Sequence, residues 1–148
     1  MQKITLFYSY SHLDESYREV LEKWLIQLKK DDLIQEWHDR KILAGDIWDD
    51  KIKEYLNKAD IIVLLISQDY LASSACDGEL KYALENKDRK IIIPIILKPC
   101  TWKDSKCYII QALPKDGKPI ELWDNKEEAW LNIYEGIKAV VKKKKNLI

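Results

Sequence analysis

Cys76 and Glu79 stand three residues apart, one helical turn, so a thiol and a carboxylate could point into the same crevice. A thiol does nucleophilic chemistry only as a thiolate, and no base lies near Cys76 in sequence to make one. A carboxylate needs less help: it can stabilise positive charge that develops on a neighbouring molecule. On residue type alone, Glu79 also reads as a solvated helix residue pairing weakly with a lysine. Arg40 and Lys41 are adjacent cations that could meet a pyrophosphate, although a solvated loop charge is the commoner fate. Tyr10, Ser11 and His12 read equally as a helix cap beside a half-buried aromatic. His12 and His38 form no metal pattern with Cys76, Cys100 and Cys107, whose spacing fits no zinc site. Four glycines leave neither a G-x-G-x-x-G turn nor a P-loop.

The elements that must position these groups alternate between strand and helix. Ile4 to Tyr8 is a short apolar and aromatic run suited to a buried strand. Tyr17, Val20, Leu21, Trp24, Leu25 and Leu28 then form one helical stripe, with Ser11 and Asp14 placed as a capping pair. Leu33 to Trp37 is a weaker strand, and Asp46 to Asn57 a helix with Trp48, Ile52, Tyr55 and Leu56 on its inner face. Ile61 to Ile66 is apolar throughout, as a strand covered on both faces must be. A helix capped by Ser73 or Ser74 follows, and then a second buried strand, Ile91 to Leu97, in which Pro94 is awkward. Pro99 to Pro114 is loop-rich. A last strand fits Ile120 to Trp123, and Asp124 with Glu127 opens a final helix carrying Trp130, Ile133, Ile137 and Val140.

Five strands and about four helices in this order predict an α/β fold: a doubly wound, flavodoxin-like parallel sheet with helices on both faces. In such sheets the ligand crevice lies beyond the carboxyl ends of the strands, where strand order reverses. The segments 9–14, 39–46, 67–75 and 98–113 are therefore the ones expected to build a site.

Composition narrows the function. The 148 residues suit one domain, and 25 basic residues balance 25 acidic ones. Zero net charge speaks against direct nucleic-acid binding or a grip on anionic membrane. Without Lys142–Lys145 the rest carries 21 basic against 25 acidic residues, a net of −4. The domain is thus expected at 1–141, with 142–148 a basic tail. No long apolar run or leader peptide is evident, and three cysteines suit a reducing compartment, so the expected location is cytoplasmic.

Phe7-Tyr8-Ser9-Tyr10-Ser11 resembles the first signature box of the TIR (Toll/interleukin-1 receptor) domain family. Trp37 to Asp46 is similar to that family's BB loop, with Asp39, Arg40, Lys41, Ile42, Leu43, Ala44 and Gly45 as its body. Ile61–Ser67 with Gln68 to Ser73 resembles the central strand and its following loop, and Ile93-Pro94-Ile95-Ile96-Leu97 the fourth strand, which accounts for the proline. Cys100-Thr101-Trp102 and Gln111 to Ile120 resemble the bacterial branch.

The resemblance implies an activity. NAD-cleaving members place a catalytic Glu on the helix after the central strand, often as Cys-x-x-Glu, which assigns Glu79 as catalytic. It also implies nucleotide contact by Tyr10, Ser11 and His12, with Arg40, Trp48 and Cys76 as further substrate-binding candidates. Some relatives carry a Trp one turn before the Glu; here Ala75 stands there, so Tyr10 or Trp48 would supply the stacking aromatic. NAD+ would be the substrate, with no cofactor or metal. The resemblance further implies assembly with other copies of the domain through the BB loop, and a place as effector in bacterial antiphage immunity. The basic tail would then lead to a sensor beyond this chain. The alternatives are a non-enzymatic adaptor working through TIR–TIR contacts and, less favoured, a nucleoside deoxyribosyltransferase-like enzyme.

Overall fold

The computed structural model describes residues 2–146. Four strands form one fully parallel sheet: β1 (Ile4–Ser9), β2 (Ile34–Trp37), β3 (Ile61–Ile66) and β4 (Ile91–Ile96), in the order β2-β1-β3-β4. The helices are α1 (Glu15–Trp24), α2 (Ile26–Lys30), α3 (Trp48–Lys58), α4 (Gln68–Ala72), α5 (Ser74–Glu85) and α6 (Lys126–Lys144). Strand residues alternate between two cores. Leu6, Tyr8, Val63, Leu65, Ile93 and Ile95 pack with α1 and α6 on one face. Phe7, Ile62, Leu64, Ile66, Ile92 and Ile96 pack with α3 and α5 on the other. Every side chain of β3 is buried, because helices cover the central strand twice.

The expected fifth strand is not formed. Ile120–Leu122 is a single 3₁₀ turn, and the outer edge of β4 is met only by isolated contacts. Leu113 bridges Ile95, and the Glu121 amide donates to the Leu97 carbonyl at 3.2 Å. Pro119 supplies no donor just before Ile120, so the segment has one ladder bond fewer to offer there. The apolar pattern had a different cause: Ile120 is buried against the α1/α6 core without being a strand. Pro94 is tolerated for a related reason. Its carbonyl accepts from Leu113 at 2.8 Å, so its backbone faces the irregular outer edge and costs β4 no bond to β3.

Three end-signals differ from expectation. Ser11 caps the 3₁₀ turn His12–Asp14, accepting from the Leu13 amide at 3.3 Å, while Asp14 makes no cap and turns inward. Asn125, rather than Asp124, caps α6 by accepting from the amides of Glu127 and Glu128. Trp48 opens α3 and is 46% exposed, not on its inner face. At the other end α6 continues past Val141 to Lys144, so Lys142–Lys144 form the last turn of a packed helix, where cations complement the helix dipole.

The 99–123 segment contains one especially tight contact. Gly117 has φ +70°, and a Cβ there would overlap the Trp102 ring. Gly117→Ala is therefore expected to cost roughly 2–4 kcal/mol, from combined backbone strain and overpacking. Chemical denaturation would show this as a lower midpoint at unchanged slope.

Candidate functional site

β1 neighbours both β2 and β3, so the strand order reverses direction beside it. This is where a parallel sheet opens a crevice. Two otherwise apolar strands run into serines at that crevice, Ser9 ending β1 and Ser67 following β3.

Ser67 accepts from the Tyr70 amide at 3.1 Å and so caps α4, while its hydroxyl donates to the Asp14 carboxylate. Ser73 caps α5, accepting from the Cys76 amide at 3.2 Å. One turn into α5, Glu79 turns toward β1, and the Ser9 hydroxyl donates to its Oε1 at 2.5 Å. The same Ser9 oxygen lies 2.9 Å from the Tyr70 hydroxyl. Burial raises the Glu79 carboxyl to about 7; the Ser9 hydrogen bond opposes that rise and the nearby Asp39 charge adds to it. A carboxylate poised near neutrality by burial is characteristic of groups with a chemical task.

Glu79 borders a cleft of about 340 Å³ between α3 and α5, at the small end of ligand-sized pockets. Trp48, Ile52 and Tyr82 supply apolar walls, and Ala75 and Gly78 leave the helix surface low beside the carboxylate. The His12 ring meets the Trp48 ring edge-on at 6.5 Å, which sets His12 beside the aromatic that borders the cleft. His12 Nε2 is 2.6 Å from Asp39 Oδ2, tying the loop after β1 to the segment after β2.

The structure thus gathers Glu79, Trp48 and His12, and sets the other sequence candidates elsewhere. Tyr10, expected to contact nucleotide, is only 5% exposed; it lies in the α1/α6 core with the Arg18 guanidinium 5.6 Å from its ring centre. Of the two stacking aromatics named from sequence, Trp48 is therefore the one with an open face. Cys76 is buried in the opposite core and does not border the cleft; burial pushes its thiol up to about 12. Ser11 is occupied as a cap. Arg40 donates to Glu15 at 2.9 Å and Lys41 to the Glu36 carbonyl at 2.6 Å, so both cations are engaged within the fold. Leu43 is 72% exposed, and Ile42 packs against the α3/α5 core. Gly45, at φ +93°, provides the turn that closes the loop. His38 is buried, and desolvation, with Arg18 adding to it, lowers its imidazole to about 4. Among the described residues no three His, Cys, Asp or Glu side chains are grouped to hold a metal. No helix among them is long and apolar enough to cross a membrane.

Ser9, Tyr70, Ser67, Asp14 and Lys98 complete the surroundings of the crevice; each lies in a segment expected to build it, although none was assigned a role at the site. Their one sequence signal is positional, since Ser9 and Ser67 are hydroxyls at the carboxyl ends of apolar strands.

The residues between 6 and 133 match the sequence profile of the TIR domain. The chain belongs to the TIR domain family. An uncharacterized protein, y4lF, from Sinorhizobium fredii (strain NBRC 101917 / NGR234) is 42% identical over 137 residues. That match takes in 90% of this chain but only 42% of the relative, so this TIR domain spans less than half the relative's length. Among solved structures, the TIR domain of the Toll-related receptor TRR-2 from Hydra magnipapillata superposes with a TM-score of 0.61 at 18% identity. That alignment covers 90% of this chain and 97% of the receptor domain. A prokaryotic SEFIR domain superposes at 0.51 with 16% identity, covering 90% of this chain and 91% of that one. At these identities both likenesses speak for the fold of this TIR domain.

Proposed function

We propose that this TIR domain is an NAD+ glycohydrolase in which Glu79 carries the chemistry. The observation that supports it is a carboxylate raised to about 7, held by Ser9 at the carboxyl end of β1 and bordering a ligand-sized cleft between α3 and α5 with an open Trp48 beside it. The nicotinamide–ribose bond breaks with its electron pair leaving on nicotinamide, which departs neutral from a cationic pyridinium and needs no general acid. Positive charge develops on the ribose, as in other oxocarbenium-like glycosyl transfers. Ionised Glu79 stabilises that charge and hydrogen-bonds the ribose hydroxyls. Water then adds at the anomeric carbon and loses a proton, giving ADP-ribose; attack by a group of the same molecule gives a cyclic isomer instead.

The same proposal includes self-assembly with other copies through the BB loop, cytoplasmic placement and service as effector in bacterial antiphage immunity. Leu43 and Ile47, 72% and 67% exposed around the loop's end, are apolar side chains suited to a protein contact. They equally favour the second reading, a signalling adaptor that works through TIR–TIR contacts without turnover. Chromatography of the products after incubating NAD+ with crowded protein separates the two. Release of nicotinamide that rises faster than protein concentration supports an assembled enzyme. No release under any crowding removes the enzymatic reading.

Trp48 offers a second handle. Trp48→Ala is expected to raise KM about 10-fold with a smaller loss in kcat, since a stacking wall contributes ~1–2 kcal/mol to binding. Steady-state kinetics that leave KM unchanged would move the substrate away from this wall.

A further inference from the structure

Glu79 is held from behind by a hydroxyl chain that begins in the core. Tyr70 is buried, and burial keeps its phenol protonated well above the ordinary range, so it is a hydrogen-bond donor at any working pH. Its hydroxyl lies 2.9 Å from Ser9 Oγ, and Ser9 Oγ lies 2.5 Å from Glu79 Oε1. Ser9 has a single proton and is fully buried. With Tyr70 donating to its oxygen, the Ser9 proton is directed onto the carboxylate. Tyr70 is itself anchored at its amide by Ser67, which caps the short α4. The chain therefore runs from the end of β3 through α4 and the end of β1 to α5.

We propose that Ser9 and Tyr70 are positioning residues for Glu79, a two-hydroxyl relay that fixes the carboxylate's direction at the cleft and favours its ionised form. The catalytic meaning of this relay rests on the function proposed above; the relay itself does not. A hydrogen bond to a charged acceptor is stronger than one to a neutral acceptor, and a donor already polarised by a second hydroxyl is stronger again. The remaining charged or titratable groups around Glu79 cannot substitute for it. Asp39, from the segment after β2, opposes ionisation. Asp49 and Lys53 of α3, Lys81 and Glu85 of α5, and His12 beside Trp48 line or flank the same cleft, and none of them is among the groups that shift the Glu79 carboxyl. Tyr70 behind the carboxylate and the buried Cys76 are neutral at pH 7, because burial raises both.

The relay is tested without substrate. The side-chain carboxyl of Glu79 is titrated by carbon-13 NMR in the intact chain, its resonance assigned with Glu79→Gln. In wild type the midpoint is expected near neutrality. Ser9→Ala is expected to raise it by roughly one pH unit, the worth of one hydrogen bond to a charged group. Tyr70→Phe, which keeps the ring and removes only the hydroxyl, is expected to raise it in the same direction by less. Should Ser9→Ala fail to fold, Tyr70→Phe carries the test alone. Midpoints unchanged in the folded variants overturn the relay. If wild type cleaves NAD+, the acid limb of its pH–rate profile must move with these midpoints; an acid limb that stays put overturns the positioning role. A wild type that never cleaves NAD+ removes the function above and leaves the titration to decide the relay.

Discussion

Glu79→Gln is expected to abolish nicotinamide release, by at least ~10²–10³-fold, while making the domain more stable at neutral and alkaline pH. The first effect follows from charge. Gln keeps the size of the side chain and can still accept from Ser9, but it cannot offset the positive charge that develops on the ribose. The second follows from the raised carboxyl. Glu79 holds its proton in the folded chain up to about 7, whereas in the unfolded chain it loses it in the ordinary carboxylate range. Between those limits the native state binds more protons than the unfolded one, so stability falls as pH rises through them. Ionising Glu79 is thus a cost borne above pH 7, and the Gln variant escapes it. The expected gain is roughly 1–3 kcal/mol at pH 8, or ~3–8 °C in Tm, shrinking toward nothing near pH 4. Thermal scans at the two pH values and product chromatography check both halves. A Gln variant that still turns over NAD+ would end the assignment of Glu79, and one destabilised at pH 8 would show that the carboxylate is structural.

Lys98→Met is expected to cost about 3–5 kcal/mol of stability, more than its half-exposed position suggests. Asp14 is fully buried, and one of its oxygens receives the Ser67 hydroxyl. The other, Oδ1, has no hydrogen-bond donor and faces the Lys98 ammonium at 3.5 Å. That ammonium also lies 5.5 Å from the Tyr17 ring centre while part of the side chain stays in water. Lys98 therefore serves a buried charge at small desolvation cost to itself. Removing it leaves a carboxylate in the core with one hydroxyl for company. Denaturant unfolding should show a midpoint drop in Lys98→Met, recovered largely by Lys98→Arg or by adding Asp14→Asn to the Met variant. A loss below ~1 kcal/mol, or no recovery in the double variant, would mean that Asp14 is satisfied another way. Because Ser67 also caps α4 and orients Tyr70, damage here is expected to reach Glu79 as well.

The buried strands were legible because burial on both faces leaves a continuous apolar run, and Ile61–Ile66 can hardly be anything else. The TIR domain family was legible by resemblance, and residues 6–133 match the TIR domain. Ile120 misled because its apolar neighbours answer to the core, while strand formation also requires a partner and a donor, and Pro119 removes one. Tyr10 and Trp48 were both open as the stacking aromatic, for a similar reason. Both are aromatics near an element's end, and only the packing decides which ring is enclosed: Tyr10 lies within the core beside Arg18, and Trp48 borders the cleft.

Local patterning was therefore enough for the alternation of elements, the parallel sheet and the segments at its carboxyl ends, because periodicity and capping act within a few residues. The state of the site required the assembled chain. Ser9 and Glu79 are separated by 70 positions, Ser9 and Tyr70 by 61, and Asp14 and Ser67 by 53. Desolvation has no local sequence signature, since Glu79 is partly shielded from water by elements far from it in sequence, the end of β1 among them. A glutamate that reads as a solvated helix residue becomes, once folded, a carboxylate near neutrality held by a buried serine and tyrosine.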